Sequence, residues 1–211
     1  KITIHMPIEQ KPSLDFENYY KSKGYKIIAG LDEAGRGPIA GPVVAAAVIL
    51  DQKNIPAGID DSKKLSNTKC KNLYFEIIKS SNVGIGIADV ECIDSINILN
   101  ATKYAMNLAR VMLSKKPDML LIDGNFIINN KIDNVPIIGG DRKSLSIAAA
   151  SIVAKYIRDE IMKKFEFIYP NFSFSKHKGY PTSLHINEIE KFGIIELHRK
   201  TFKPINKLKK K

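Results

Sequence analysis

The chain has 211 residues, of which 44% are apolar and 26% charged, and this composition suits one globular domain with a full core. No apolar run reaches the roughly 18 residues that a membrane-spanning helix needs, and residues 1–10 lack an apolar signal segment, so we expect a cytoplasmic protein without a membrane partner. The formal net charge of +11 favours a polyanionic partner, and nucleic acid is the first candidate.

The first part of the chain predicts a polar extension followed by two paired strands. Residues 1–24 show little periodicity, and we interpret them as an N-terminal extension that contains one short helix at 14–21. The first strand is predicted at 25–32 and the second at 42–50, where a near-continuous apolar run indicates burial on both faces. The short glycine-rich link between the two strands favours an antiparallel pair.

Helices and strands alternate in the rest of the chain. Ser66 is predicted to cap a helix, and Pro117 ends a long helical region whose apolar residues recur in steps of three and four. In chain order the predicted elements are a loop at 51–65, a helix at 66–80, a strand at 82–89, a helix at 90–114, strands at 118–123 and 135–138, a helix at 144–165, an aromatic and basic loop at 166–181, a helix at 183–192, and a disordered basic tail at 203–211. Early strands and interleaved helices predict an α/β fold with a mixed sheet.

Four carboxylates lie at the ends of predicted strands or just beyond them, within two residues of a glycine: Asp32, Glu33, Asp123 and Asp141. Acids at the ends of several strands can converge on one edge of a sheet, which is the usual place for an α/β site. Hard divalent cations such as Mg²⁺ prefer oxygen ligands, and two such ions roughly 3.5–4 Å apart can clamp a phosphodiester. The pattern therefore predicts a metal site that acts on a phosphate ester.

The neighbouring positions of Asp32 and Glu33 set a geometric condition. Adjacent residues of a regular strand point to opposite faces, so we expect the strand to end or bulge at this pair, next to Gly35 and Gly37. Each acid also has an ordinary structural interpretation as a turn former, a helix cap or an ion-pair partner. That alternative is open for Asp123, which precedes a glycine, and for Asp141, which lies close to an N-cap position before its predicted helix.

Five segments occur in an order that is specific to one family. They read GLDEAGRGPIAGPVVAAAV, DDSKKLS, LIDGN, GGDRKSLSIAAASIVAKYIRDEIM and HKGYPT. Together they resemble the bacterial ribonuclease HII family of type 2 ribonucleases H, over about residues 26–202. The resemblance implies a ribonuclease H-like mixed sheet flanked by helices with a C-terminal helical extension. It also implies a catalytic domain at 25–200 and a basic tail at 201–211.

The same resemblance implies roles for particular residues. Asp32, Glu33, Asp123 and Asp141 match the four carboxylates that bind two Mg²⁺ or Mn²⁺ ions. The matching substrate contacts are Gly35, Arg36 and Gly37, whose backbone reads one 2′-hydroxyl, Tyr180, which packs on the following sugar, and Ser62, Lys63 and Lys64, which approach phosphates. These roles fit the residue types, because the 2′-hydroxyl is the only chemical mark of RNA at a given sugar and glycines allow a backbone to approach a ligand closely.

The implied activity is a metal-dependent endonuclease that acts on RNA/DNA hybrids and on DNA duplexes with embedded ribonucleotides. It would cut on the 5′ side of a ribonucleotide, leave 3′-hydroxyl and 5′-phosphate ends, and work as a monomer. Two alternatives are a two-metal nuclease that is not specific for RNA and a basic duplex-binding protein without activity. The spacing of the glycines misses the G-x-G-x-x-G pattern of a dinucleotide site.

Other conspicuous residues are interpreted as structural. The three C-terminal histidines lack the spacing of metal ligands, and His177 is the best candidate among them to contact a phosphate. Asp159 is expected to form a structural ion pair beside Arg158. Two cysteines in a chain of this length are expected to be reduced thiols.

Overall fold

A five-stranded mixed sheet forms the centre of the fold, in the order β3-β2-β1-β4-β5. The structure is a computed structural model that describes residues 11–128 and 131–208. The strands are β1 (Ile28–Ala34), β2 (Val43–Ile49), β3 (Asn82–Ala88), β4 (Met119–Asp123) and β5 (Asp133–Ile137). β2 pairs antiparallel with both β1 and β3, whereas β1, β4 and β5 run parallel. The predicted antiparallel pair and the mixed sheet are confirmed.

Helices cover both faces of this sheet. They are α1 (Asp15–Ser22), α2 (Asn67–Ser80), α3 (Val90–Val111), α4 (Leu145–Ile168), α5 (Phe174–His177), α6 (Ser183–Phe192) and α7 (Ile205–Leu208). Ser66 caps α2 as predicted, and its hydroxyl accepts from the Lys69 amide. No helix among the described residues is long and apolar enough to cross a membrane.

Small residues bring the helices close to the sheet. An added Cβ at Gly84 of β3 would lie 2.0 Å from the Ala109 carbonyl oxygen of α3, and one at Gly30 of β1 would lie 2.2 Å from the Ser146 carbonyl carbon of α4. Only glycine fits such close packing of strand against helix. The alanine-rich β2 lies between these two layers with its five central residues fully buried, as its apolar sequence predicts.

Element boundaries differ from the sequence-based ones by at most three residues. The predicted loop at 166–181 is wrong for 166–168, where α4 continues, and for 174–177, which form α5. One helix also differs internally. α3 is kinked at Asn97, whose φ of 67° is left-handed, and the Asn97 side chain then caps the second part of the helix by accepting from the amides of Leu99 and Asn100. With ψ at 165°, this is a backbone conformation that glycine adopts far more readily than other residues, and the two bonds to the asparagine side chain help to hold it. Apolar periodicity alone gives no sign of such a break.

The two ends of the chain are more closely integrated than the sequence predicts. Ile205 is fully buried in α7, so the predicted disordered tail is wrong for 203–208, and 209–211 lie outside the described residues. In the predicted N-terminal extension, buried Glu17 of α1 accepts from the hydroxyls of Ser144 and Ser146 at 2.6 Å. The part of this extension that is described, residues 11–24, therefore packs on the domain as one of its elements.

Candidate active site

The four predicted carboxylates lie at the same edge of the sheet, at or just after the C-terminal ends of three adjacent strands. Asp32 follows Leu31, which pairs with Ile122, so Asp32 is next to Asp123, the last residue of β4. Asp141 lies in a 3₁₀ turn at Gly140–Arg142 shortly after β5. Parallel strands end at one edge, and this sheet places the acids there as expected.

The predicted break of the strand at Asp32–Glu33 is wrong. β1 continues to Ala34, and the ladder to β2 runs without a bulge through Glu33↔Ala45. The other neighbour ends instead, because β4 stops at Asp123. With no strand beside Glu33 on that side, one cleft of about 330 Å³ reaches around the open edge and is lined by both Asp32 and Glu33.

Burial and mutual repulsion disfavour charge on three of these acids. Desolvation by burial, together with the charges of Glu33 and Asp123, raises the pKa of Asp32 well above its ordinary value. Burial raises the pKa of Glu33 to about 7 against the opposing charge of Arg36, which lies 3.3 Å away. The pKa of Asp123 is raised by burial and by the charge of Asp141. Such strongly shifted carboxylates in a cleft mark a functional site.

The donor set fits a divalent cation. Glu33 Oε2 is buried without a hydrogen-bond partner, and a cation would satisfy this atom and remove the repulsion between the acids. Within 11–128 and 131–208, no three acidic, histidine or cysteine side chains already form a tight metal cluster. One reason is that the Asp141 carboxylate pairs with Lys63 Nζ at 3.1 Å and does not line the cleft. Asp123 Oδ1 in turn accepts from the Gly140 amide at 2.7 Å.

Two buried arginines, which the sequence analysis did not assign to the site, hold the glycine-rich loop that forms another wall of the cleft. All five N–H donors of Arg199 bond to four backbone carbonyl oxygens of this loop, at distances from 2.6 to 3.0 Å. The acceptors are the carbonyls of Gly35, Arg36, Pro38 and Gly41. Arg158 donates to the carbonyls of Pro42 and Ala40. These carbonyls are therefore turned towards the protein interior.

The loop leaves its other side free for a ligand. Among the described residues, the amides of Arg36 and Gly37 have no hydrogen-bond acceptor. The ring of Tyr180 lies beside the loop, since a Cβ added at Gly37 would be 3.5 Å from Tyr180 Cε1. Tyr180 is 47% exposed, so its ring is available to a ligand in the cleft. The structure thus brings together the predicted glycine loop, Tyr180 and three of the four carboxylates.

The other predicted substrate contacts are in different situations. Ser62 and Lys63 both line the cleft, although the Ser62 hydroxyl bonds to Ser151 Oγ at 2.9 Å. Lys64 is exposed and does not line the cleft. The remaining cations that line the cleft are Lys155, Arg158 and Lys178. Asp159 pairs with Lys155 at 2.9 Å and not with Arg158.

The interpretation of His177 as a phosphate contact needs correction. Its side chain is only 1% exposed. Nε2 lies 3.0 Å from Glu188 Oε2, and Nδ1 accepts from the Gly179 amide. Both ring nitrogens are therefore occupied within the protein, and no face of the ring reaches the cleft in this conformation.

Comparison with known proteins gives a consistent result over nearly the whole chain. Residues 29–205 match the family model for Ribonuclease HII. A ribonuclease HII from Chlamydia trachomatis serovar A is 49% identical over 207 residues, which cover 97% of this chain and 95% of that protein. One from Thermotoga maritima is 50% identical over 195 residues, with 92% and 80% covered.

Two solved structures share the fold. The ribonuclease H2 from Pyrococcus horikoshii OT3 has a TM-score of 0.71 and 26% identity, and the similarity covers 88% of this chain and 98% of that one. The structure of Bst-RNase HIII in complex with Mn²⁺ has a TM-score of 0.64 at 19% identity, with 87% and 69% covered. The predicted ribonuclease H-like fold is confirmed.

Arg199→Lys tests the support of the loop. A lysine has one nitrogen and cannot reach the four carbonyls that the guanidinium fork satisfies, so buried acceptors lose their partners. We expect the free energy of unfolding to fall by about 2–4 kcal/mol, measured by urea denaturation. Lys200→Ala, at the adjacent exposed position, is the control. Equal stability of the two variants would contradict the role of Arg199.

The pKa of Glu33 predicts how stability changes with pH in the absence of divalent ions. Because folding raises this pKa from 4.5 to about 7, the folded protein binds more protons than the unfolded chain between these pH values. The contribution of Glu33 to the free energy of unfolding therefore falls as pH rises through this window. We expect the stability of Glu33→Gln, relative to that of the parent protein, to be greater at pH 8 than at pH 5. Thermal unfolding of both proteins in the presence of chelator, at each pH, measures this difference.

The buried histidines, whose pKa values are lowered, change the stability with pH in the opposite direction, but they are present in both proteins. The stability difference between the two proteins at each pH therefore isolates the contribution of Glu33. Added Mg²⁺ or Mn²⁺ should stabilise the parent protein at pH 8 more than Glu33→Gln. A stability difference that does not depend on pH would show that Glu33 carries its charge in the folded protein near pH 5.

Proposed function

The chain belongs to the ribonuclease HII family, and we propose that it hydrolyses the phosphodiester on the 5′ side of ribonucleotides in RNA/DNA hybrids and in DNA duplexes with embedded ribonucleotides. The products would carry 3′-hydroxyl and 5′-phosphate ends. One observation carries the proposal: a single cleft is lined by buried carboxylates on one side and by a glycine loop with free amides and the Tyr180 ring on the other. The first wall suits cleavage and the second suits recognition of a sugar.

The carboxylates would hold the ions. Asp32, Glu33, Asp123 and Asp141 offer only oxygen ligands, which suit Mg²⁺ or Mn²⁺. When bound, two such ions supply an activated water and stabilise the leaving oxygen. The chain itself keeps the acids close despite their repulsion, and the Gly140 amide orients Asp123. Lys63, now bonded to Asp141, can turn to a substrate phosphate because its side chain is 79% exposed.

The glycine loop would recognise the ribonucleotide. Its carbonyls are held by Arg199, and the free amides of Arg36 and Gly37 are the donors that a 2′-hydroxyl oxygen can accept from. Tyr180 lies next to Gly37, so its ring would contact the sugar that follows. A ring packed on a deoxyribose leaves little room for a second hydroxyl, and this would favour a step from RNA to DNA.

Cations around the cleft would position the duplex. Lys63, Lys155 and Lys178 line it, and contacts of lysine with phosphate fix the register of a duplex without reading its sequence. The net charge of +11 supports binding that weakens as salt rises.

The alternative of a two-metal nuclease without RNA specificity gives no role to the glycine loop or to Tyr180. The monomeric state stays a prediction.

Asp123→Asn tests the catalytic assignment. The change removes one ligand charge but keeps the size of the side chain and an oxygen for the Gly140 amide. We expect cleavage of a duplex with one embedded ribonucleotide to fall by about a hundredfold or more, in Mg²⁺ and in Mn²⁺. Binding of the same duplex in chelator should persist, because an acid next to the phosphates has been neutralised.

The matched control is Asp133→Asn at the opposite end of the neighbouring strand β5, where the side chain accepts from Tyr25 Oη at 2.6 Å. This variant should cleave like the parent protein. The assignment fails if Asp123→Asn keeps its activity, and the proposed RNA specificity fails if the parent protein cuts an all-DNA duplex equally well.

Gly37→Ala tests recognition without a folding defect. The added methyl group meets only Tyr180 Cε1 at 3.5 Å, an ordinary contact, so stability should not change. Because the methyl group displaces a ribose from the loop, we expect kcat/KM on the single-ribonucleotide duplex to fall by about tenfold to a hundredfold. Binding of an all-DNA duplex should stay the same.

Gly35→Ala provides the contrast. Its φ is +99° and an added Cβ would lie 2.1 Å from Arg158 Nε, so this variant should lose stability as well as activity. If Gly37→Ala cleaves like the parent protein, the loop does not read the sugar.

A further inference from the structure

Three buried histidines lie directly behind the Tyr180 segment and have no part in the chemistry described above. His177 and His185 stack with ring centroids 4.0 Å apart, and His185 and His198 stack at 5.2 Å. His185 and His198 are fully buried. Buried imidazoles of this kind need a partner for each ring nitrogen, and here these partners fix every proton.

The hydrogen bonds of His185 and His198 form a chain with a single direction. His198 Nδ1 lies 3.0 Å from the Ile195 amide nitrogen, which can only donate, and 3.3 Å from the Ile195 carbonyl oxygen. That carbonyl already accepts from the His198 amide at 3.0 Å, so Nδ1 accepts from the Ile195 amide and the proton of His198 is on Nε2. His185 Nδ1 lies 2.9 Å from the Tyr180 carbonyl oxygen, which can only accept, so the proton of His185 is on Nδ1. The two Nε2 atoms are 3.1 Å apart, and His198 therefore donates to His185.

This chain requires both rings to be neutral. A proton added to His185 Nε2 would place two N–H groups against each other, and so would the other tautomer of His185. Burial lowers the pKa of His185 and of His198 to about 4, so both are neutral near pH 7. The charged and titratable neighbours are His177 and Glu188, which bond to each other, and Arg199, which follows His198.

We propose that the His198–His185 chain is a positioning device that fixes the backbone at Tyr180, and with it the ring that reads the sugar after the ribonucleotide. Its far end, His198, precedes Arg199, which clamps the glycine loop. Its near end holds the Tyr180 carbonyl. A separate backbone bond ties the Tyr180 segment directly to the glycine loop, since the Ile39 amide donates to the Gly179 carbonyl at 2.8 Å. The His198–His185 chain thereby sets the distance between the glycine loop and the Tyr180 ring.

The inference rests on the proposed function and deepens it. His185 and His198 touch neither substrate nor ions, so their loss should change which substrate is preferred and leave the metal dependence as it is. A purely structural role would lower all activities together. The two roles are therefore separable by comparing substrates.

The first experiment compares His198→Phe with His198→Gln. Phenylalanine keeps the ring packing against Phe172 and removes the donor, whereas glutamine places an N–H close to the position of Nε2. For His198→Phe we expect kcat/KM on a DNA duplex with one embedded ribonucleotide to fall by about fivefold or more, as for one lost hydrogen bond. On a continuous RNA/DNA hybrid it should fall by less than about twofold. His198→Gln should recover most of the loss.

The second experiment needs no cleavage. The sequence contains no tryptophan, so Tyr180→Trp introduces a single tryptophan at the recognition position, and its emission can be excited selectively over that of the tyrosines. Adding His198→Phe to this protein should shift the emission to longer wavelength and increase acrylamide quenching, and His198→Gln should reverse both changes. If thermal unfolding shows that His198→Phe is not folded, His185→Gln is used in its place. Glutamine at 185 keeps an acceptor for His198 and loses the donor to the Tyr180 carbonyl.

The proposal is overturned if both substrates lose activity by the same factor, if glutamine at 198 does not rescue a folded protein, or if the fluorophore is unaffected. Failure of the proposed function looks different. In that case the parent protein itself does not cut at a single ribonucleotide, and the fluorescence still reports whether the histidines position residue 180.

Discussion

The buried guanidinium of Arg199 is the interaction on which the recognition side of this protein depends. A charge without a carboxylate partner is costly to bury, and here carbonyl dipoles take the place of the counter-ion. Because Arg199 uses all five donors on the glycine loop, the loop can present its amides only on the opposite side. Burial lowers the pKa of Arg199 to about 9, and the group remains charged at neutral pH.

The carboxylate side depends on a different balance. The sheet brings Asp32, Glu33 and Asp123 together although each disfavours charge on the others. Regular strands do this without local distortion, because β4 ends earlier than β1 and opens the edge of the sheet. A rigid scaffold that holds like charges close has a high affinity for a cation that relieves the repulsion. We expect the same feature to make the stability of the metal-free protein depend on pH.

The two sides are joined by the C-terminal part of the chain, which looks peripheral in the sequence. Segment 195–202 supplies Arg199 to the glycine loop and His198 to the chain behind Tyr180, and the Thr201 amide and hydroxyl bond to Asp94 of α3. Beyond it, Ile205 packs in the core formed with Phe172 and Phe174. What resembles a basic tail is therefore part of the support of the site.

The sequence by itself was sufficient for the fold class, for most helices and strands, and for the positions of the four acids. These features follow from local periodicity, from glycine next to acids at strand ends, and from motifs in a fixed order. The strand geometry at Asp32–Glu33 and the kink at Asn97 were not accessible in this way, because each depends on where a neighbouring element ends or on a side chain that caps its own helix.

The roles of Arg199, His185 and His198 were decided only by the tertiary structure. Their partners lie on the glycine loop and in the Tyr180 segment, and for Arg199 the separation exceeds 150 residues. A single sequence carries no signal for such a distant pairing, because a buried arginine and an exposed one have the same local pattern. Burial and the direction of each hydrogen bond distinguish them, and both exist only after the chain has folded.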